Sequence, residues 1–139
     1  MKTTRNGVDF LLFLVLVGVA AWAIPGAGHL LIRERKRAVI ICATVLGLFA
    51  TGLYIGSLGV LEPIQTAWYI FVGQLLTTPA VGVLTDLAQK GDYFVAGRPA
   101  DIGLIYTIIA GLLNLLCISN AVYMAYCGRG QLIGEDENA

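Results

Sequence analysis

Reactive chemistry is scarce in this chain. Its 139 residues include one histidine, three cysteines and four prolines, and only 13% of them are charged. A single histidine cannot form a His–His metal pair, and Cys42, Cys117 and Cys127 are too far apart for a CxxC pair, so zinc sites of the usual spacing are excluded. There is no GxSxG elbow, no phosphate-binding glycine loop ahead of Lys-Ser/Thr, and no CxxCH for haem attachment. No catalytic residue is predicted, and the chain is read as non-enzymatic. Nine Lys+Arg offset nine Asp+Glu, which leaves no basic field for nucleic acid. Cys42 and Cys117 lie inside apolar runs, where a thiol behaves as a small hydrophobe. Cys127 has no evident partner, so no disulfide is expected.

What the chain has is apolar length. Hydrophobic residues make up 58% and mean hydropathy is +0.80, whereas an ordinary soluble domain is about 25% charged. Stretches free of Asp, Glu, Lys and Arg run for 23 residues after Asp9, 24 after Arg37, 23 after Glu62 and 27 after Asp101. A helix crossing the ~30 Å hydrocarbon layer needs about 20 such residues. None of the runs carries the polar stripe of a soluble amphipathic helix. The predicted fold is therefore all-α: an integral membrane bundle of four transmembrane helices, the first one short, without a soluble domain. A single transmembrane domain fills residues 1–139, with segments at about 8–25, 38–61, 65–86 and 101–126 and a polar tail at 129–139. A signal peptide is the rival reading of the first segment, because Lys2 and Arg5 precede an apolar stretch and Ala21-Trp22-Ala23 resembles a cleavage site. Asp9 opposes it.

Four crossings would put the N-terminus, the link at Glu62 and the C-terminus on one side, with Lys2, Arg5 and Arg129. Arg33, Arg35, Lys36, Arg37, Lys90 and Arg98 would lie on the other. The basic excess marks the cytoplasmic side, so both termini are predicted outside a bacterial inner membrane. Trp22, Trp68, Tyr69, Tyr123 and Tyr126 fall near segment ends, as interfacial aromatics do.

Helices in lipid associate through close backbone approach and interhelical hydrogen bonds. Ala43, Gly47 and Thr51 are spaced by four, and Gly52 and Gly56 form a GxxxG. Gly103, Thr107, Gly111 and Asn114 share one face of the last segment. These are the predicted helix-packing residues, and Asn114 is the predicted buried polar side chain. Gln74, Thr77 and Thr78 precede Pro79, which reads first as a kink whose freed carbonyl the hydroxyls satisfy. The same four polar residues are the only candidates for a solute pathway.

No cofactor is predicted. The residue a chlorophyll or haem would use is His29, whose first reading is a tight turn, Pro25-Gly26-Ala27-Gly28-His29, at the interface. Arg33, Arg35, Lys36 and Arg37 read as a topology signal and as a seat for anionic lipid headgroups.

The stretch Ile24-Pro25-Gly26-Ala27-Gly28-His29, with the basic cluster after it, resembles the PGxGH-type turn of small bacterial membrane proteins and is similar to the motif of two-transmembrane-segment domain proteins. The last segment, from Gly103-Leu104-Ile105-Tyr106 through Gly111 and Asn114 to Asn120-Ala121, resembles the final helix of a small bacterial four-helix membrane family of unknown function. Where the two-segment pattern has an aromatic and a glycine after the histidine, this chain has Leu30, Leu31 and Ile32. The resemblance implies fold and membrane location and brings no activity with it.

The leading expectation is an accessory or scaffolding subunit, docked by small-residue faces onto a larger membrane complex, respiratory or photosynthetic. The alternatives are an oligomeric small-solute transporter or channel, and a subunit contacting pigment or haem through His29. The bilayer is the first expected partner, and homo-oligomers are open.

Overall fold

The computed structural model describes residues 7–61, 68–91 and 97–128. Six α-helices follow in order: α1 (Gly7–Ala23), α2 (Ala27–Leu31), α3 (Arg35–Gly56), α4 (Trp68–Leu75), α5 (Ala80–Lys90) and α6 (Arg98–Tyr126), with a 3-10 turn at Leu58–Leu61. No strand occurs among the described residues. Two helices, α3 and α6, are long and apolar enough to cross a membrane. At 1.5 Å per residue they measure about 33 and 43 Å.

These two lie antiparallel. Arg37 at the start of α3 donates to the Met124 sulfur near the end of α6, at 3.5 Å. Gly56, which ends α3, packs on Gly103 and Pro99 at the start of α6. Gly52 and Gly103 let the backbones meet: a Cβ on Gly103 would sit 2.7 Å from the Gly52 carbonyl oxygen and from the Gly56 Cα. Of the small residues grouped by spacing in the sequence, Gly52, Gly56, Gly103 and Thr107 pack on each other here.

The first segment forms a single helix close to its expected bounds of 8–25, α1 at Gly7–Ala23. Phe10 of α1 meets Tyr126 at the end of α6 (ring centroids 6.1 Å apart), and Val17 packs with Ala121 and Met124. Helix α1 thus enters from the end where α6 finishes and α3 begins. At Pro25-Gly26 the chain reverses. Gly26 has φ +90°, a conformation open to glycine and costly for other residues, and it lies against the Ala38 backbone. Helix α2 then runs back along α1, with Gly28 against Ala21 and the Val17 carbonyl. The start of α1, the basic cluster and the end of α6 share one end of the bundle.

The third run is not one span over 65–86. Helix α4 stops at Leu75 and α5 starts after Pro79, whose ring and missing N–H forbid continuation. The two arms form a second hairpin. Gln74, before the break, donates to the Val60 carbonyl, and Thr85, after it, donates to the neighbouring Leu61 carbonyl at 3.3 Å. Both arms therefore lean on the same 3-10 turn, and α5 returns toward the end from which α4 came. Eight and eleven residues give arms of about 12 and 16 Å, each too short to cross a membrane. The expected kink is a full reversal. The link at Glu62, the start of the third segment before Trp68 and the polar tail 129–139 lie outside the described residues.

Polarity is distributed inside out. Val8, Leu11, Leu12, Val39, Ile40 and Leu116 are each at least 60% exposed, while His29, Gln74, Thr77, Thr107 and Asn114 are 0% exposed.

Candidate functional site

The tips of the two hairpins meet beside Asn114, near the midpoint of α6. A helix that ends inside a bundle leaves its last carbonyls without intrahelical partners. Here side chains from other elements supply them. The Trp22 indole N–H donates to the Leu75 carbonyl at 3.1 Å, and the Asn114 amide nitrogen donates to the carbonyls of Leu76 and Thr77 at 3.0 and 2.9 Å. In the other direction the Thr78 hydroxyl donates to the Ala23 carbonyl, the last residue of α1, at 2.9 Å. Each tip thus completes the other.

One turn down, the Gln74 amide nitrogen donates to the Val60 carbonyl at 3.1 Å and to the Thr107 hydroxyl at 2.9 Å. Thr107 passes its own hydrogen to the Leu104 carbonyl. With both amide nitrogens committed, their oxygens are left over. Gln74 Oε1, Asn114 Oδ1 and Thr77 Oγ1 are buried without a hydrogen-bond partner. Gly111 makes this closeness feasible, since a Cβ there would run into the Gly73 carbonyl and sit 3.2 Å from Thr77 Oγ1.

Residues 16–130 match a family described as a family of unknown function, DUF6677. The chain belongs to that family. The DUF6677 match opens inside α1 and takes in both hairpins, both long helices and both tips. No curated protein and no solved structure matches the chain. The expectation of a family of unknown function is met by this match.

Of the predicted packing residues, the fold brings together Gly52, Gly56, Gly103, Thr107, Gly111 and Asn114. Gly47 stands apart, exposed on α3 with nothing within 4 Å of a Cβ placed there. Arg33, Arg35, Lys36 and Arg37 are all exposed at the end where α3 begins. Glu34 lies 3.7 Å from Arg37.

His29 is 0% exposed, and neither ring nitrogen has a partner. It lies in the short helix α2, outside the two long helices. Among the described residues no group of three or more His, Cys, Asp or Glu is placed to hold a metal ion.

Trp22 has a role at this junction that the sequence reading does not give it. Proximity to a segment end suggests an interfacial tryptophan; the ring also reaches across to the second hairpin. The available signal was its position three residues before Pro25-Gly26, where a reversal buries the helix end and whatever side chain flanks it.

Proposed function

We propose that the chain is a membrane protein with two crossings, α3 and α6, and two half-depth hairpins entered from opposite faces, and that it handles a small polar solute where the hairpins meet. The observation that carries this reading is the tip-to-tip junction. Non-helical backbone at membrane depth is tolerated where protein or a polar cavity surrounds it, and interrupted helices are a common way to expose polar backbone to a solute at mid-membrane.

The outer surface supports a lipid environment. Thr44, Thr51 and Ser119 are exposed, and each folds its hydroxyl onto the carbonyl four residues back, at 2.8, 2.8 and 3.0 Å. A hydroxyl facing hydrocarbon has to find such an internal acceptor. Trp68 and Tyr69 are exposed at the start of α4, and Tyr123 and Tyr126 at the end of α6, a placement suited to two headgroup layers.

With two crossings the charge count changes sides. Arg33, Arg35, Lys36 and Arg37 stand at one end, and Lys2, Arg5 and Arg129 adjoin that end in the sequence. Lys90 and Arg98 are at the other. The basic end is then cytoplasmic in a bacterial inner membrane, with both chain ends inside rather than outside, and the cluster faces anionic headgroups. Cys127 is exposed at that end. In a Cys42→Ala, Cys117→Ala background, a membrane-impermeant maleimide is expected to spare Cys127 in intact cells and label it in inverted vesicles. Labelling in intact cells would reverse the orientation.

A second reading, docking onto a larger membrane complex, has its own observation. Gly47 is the one predicted packing glycine on a free face of α3, flanked by exposed Ala43 and Thr51. Purification in a mild detergent, together with flux assays in proteoliposomes, separates the two. Protein recovered alone as a defined oligomer, with solute flux, supports the pathway. A stoichiometric partner that Gly47→Leu releases, with no flux, supports docking.

A further inference from the structure

We propose that the junction of the two hairpins binds one dehydrated monovalent cation of about the size of sodium; this names the solute class of the pathway reading and rests on it. The three leftover oxygens define the chemistry. Gln74 Oε1 and Asn114 Oδ1 are pure acceptors, because their amide nitrogens are already bonded to Val60, Thr107, Leu76 and Thr77. Thr77 Oγ1 is a hydroxyl without a partner, and all three residues are 0% exposed. Gln74 lies in the last turn of α4, Thr77 just past its end, and Asn114 on the facing stretch of α6.

The surroundings are electron-rich. Helix α1 ends at Ala23 and α4 ends at Leu75, so two C-terminal helix ends, each carrying partial negative charge, converge on the junction. The N-terminus of α5 lies on the far side of Pro79 and opposes them in part. The carbonyls of Leu76 and Thr77 each accept one hydrogen from Asn114 and keep a second lone pair. The side-chain amides there are already committed, so the Thr77 hydroxyl is the one unengaged side-chain donor an anion would meet among the described residues. A divalent cation would lack the carboxylates that usually neutralise it. A monovalent cation needs only neutral oxygens, and side-chain and carbonyl oxygens can replace its water shell. Such an ion would be occluded here, and release requires the two tips to part.

The test uses Thr77→Val, which deletes an oxygen that bonds to nothing in the folded chain. If the junction is dry, the variant should fold at least as well as the parent. The full-length protein in detergent is titrated with sodium, potassium or choline chloride at fixed ionic strength, with thermal unfolding and sodium-23 line broadening as readouts. Expected is a saturable rise of the unfolding midpoint in sodium over choline, lost in Thr77→Val and restored in Thr77→Ser. Equal midpoints in all three salts, or a sodium response unchanged in Thr77→Val, would overturn the site and leave a water molecule as its occupant. Sodium efflux from proteoliposomes is measured separately. Binding without efflux retains the site and removes the pathway, whereas efflux with no binding response removes the site alone.

Discussion

Gly111→Ala is expected to destabilise the protein by about 3 kcal/mol, at the upper end of what forced overpacking costs. The added methyl would collide with the Gly73 carbonyl, which is backbone and cannot rotate out of the way. Helix α4 would have to back off from α6, and Asn114 and Gln74 would then lose their reach to Leu76, Thr77 and Thr107. Gly47→Ala provides the contrast, because nothing lies within 4 Å of its new atom. There the expected effect is neutral, or stabilising by up to about 1 kcal/mol through helix propensity. Unfolding of both variants in mixed micelles gives the comparison. Similar losses at the two glycines would mean that α4 does not pack on α6 as described.

Asn114→Leu is expected to cost roughly 2 kcal/mol. Two buried carbonyls lose their donor at once; each orphaned group costs about 1–3 kcal/mol in a protein interior, and less where the membrane-embedded unfolded state finds substitutes. The damage should be local to the hairpin tips. Trp22 bonds to the next carbonyl along, that of Leu75, so in a Trp68→Phe background its emission should shift and its quenching by acrylamide should rise. Flux through the junction should be lost in the same variant. Unchanged Trp22 emission with unchanged stability would show that Asn114 does not hold the tips. Ser119→Ala, which removes an exposed hydroxyl bonded to its own helix, serves as the near-neutral control.

Much of this fold could be read from the positions of the charges, and the part that could not has a definite cause. Gaps between charged residues measure how much chain can be buried in lipid, but not whether it crosses or turns back. The residues that decide between these were present: the runs after Arg37 and Asp101 contain no proline and became α3 and α6, whereas the other two hold Pro25 and Pro79 and became hairpins. A proline in an apolar run is compatible with a kinked span, so only the partners of the freed carbonyls settle the matter, and these come from elsewhere in the chain. The packing face of Gly103, Thr107, Gly111 and Asn114 followed directly from helical spacing. Which α3 glycine would meet it did not, because Gly47 and Gly52 point to different faces and both look suited. The buried state of Asn114 was legible for the reason that hydrocarbon leaves an amide no alternative. Its targets, two carbonyls on a helix that stops short, depended on the break at Pro79.

The order of synthesis now matters. Asn114 emerges from the ribosome 37 and 38 residues after the carbonyls it satisfies, and Trp22 about 50 residues before the one it satisfies. Under the two-crossing topology proposed above, one of these donors would already be in the bilayer when α4 and α5 leave the translocation machinery, and the other would not yet have been made. The second hairpin would then settle at depth only once α6 arrived to receive it. A ribosome pause or a truncation between Lys90 and Asn114 would leave that segment exposed to proteolytic quality control, although every residue of the hairpin had already been made.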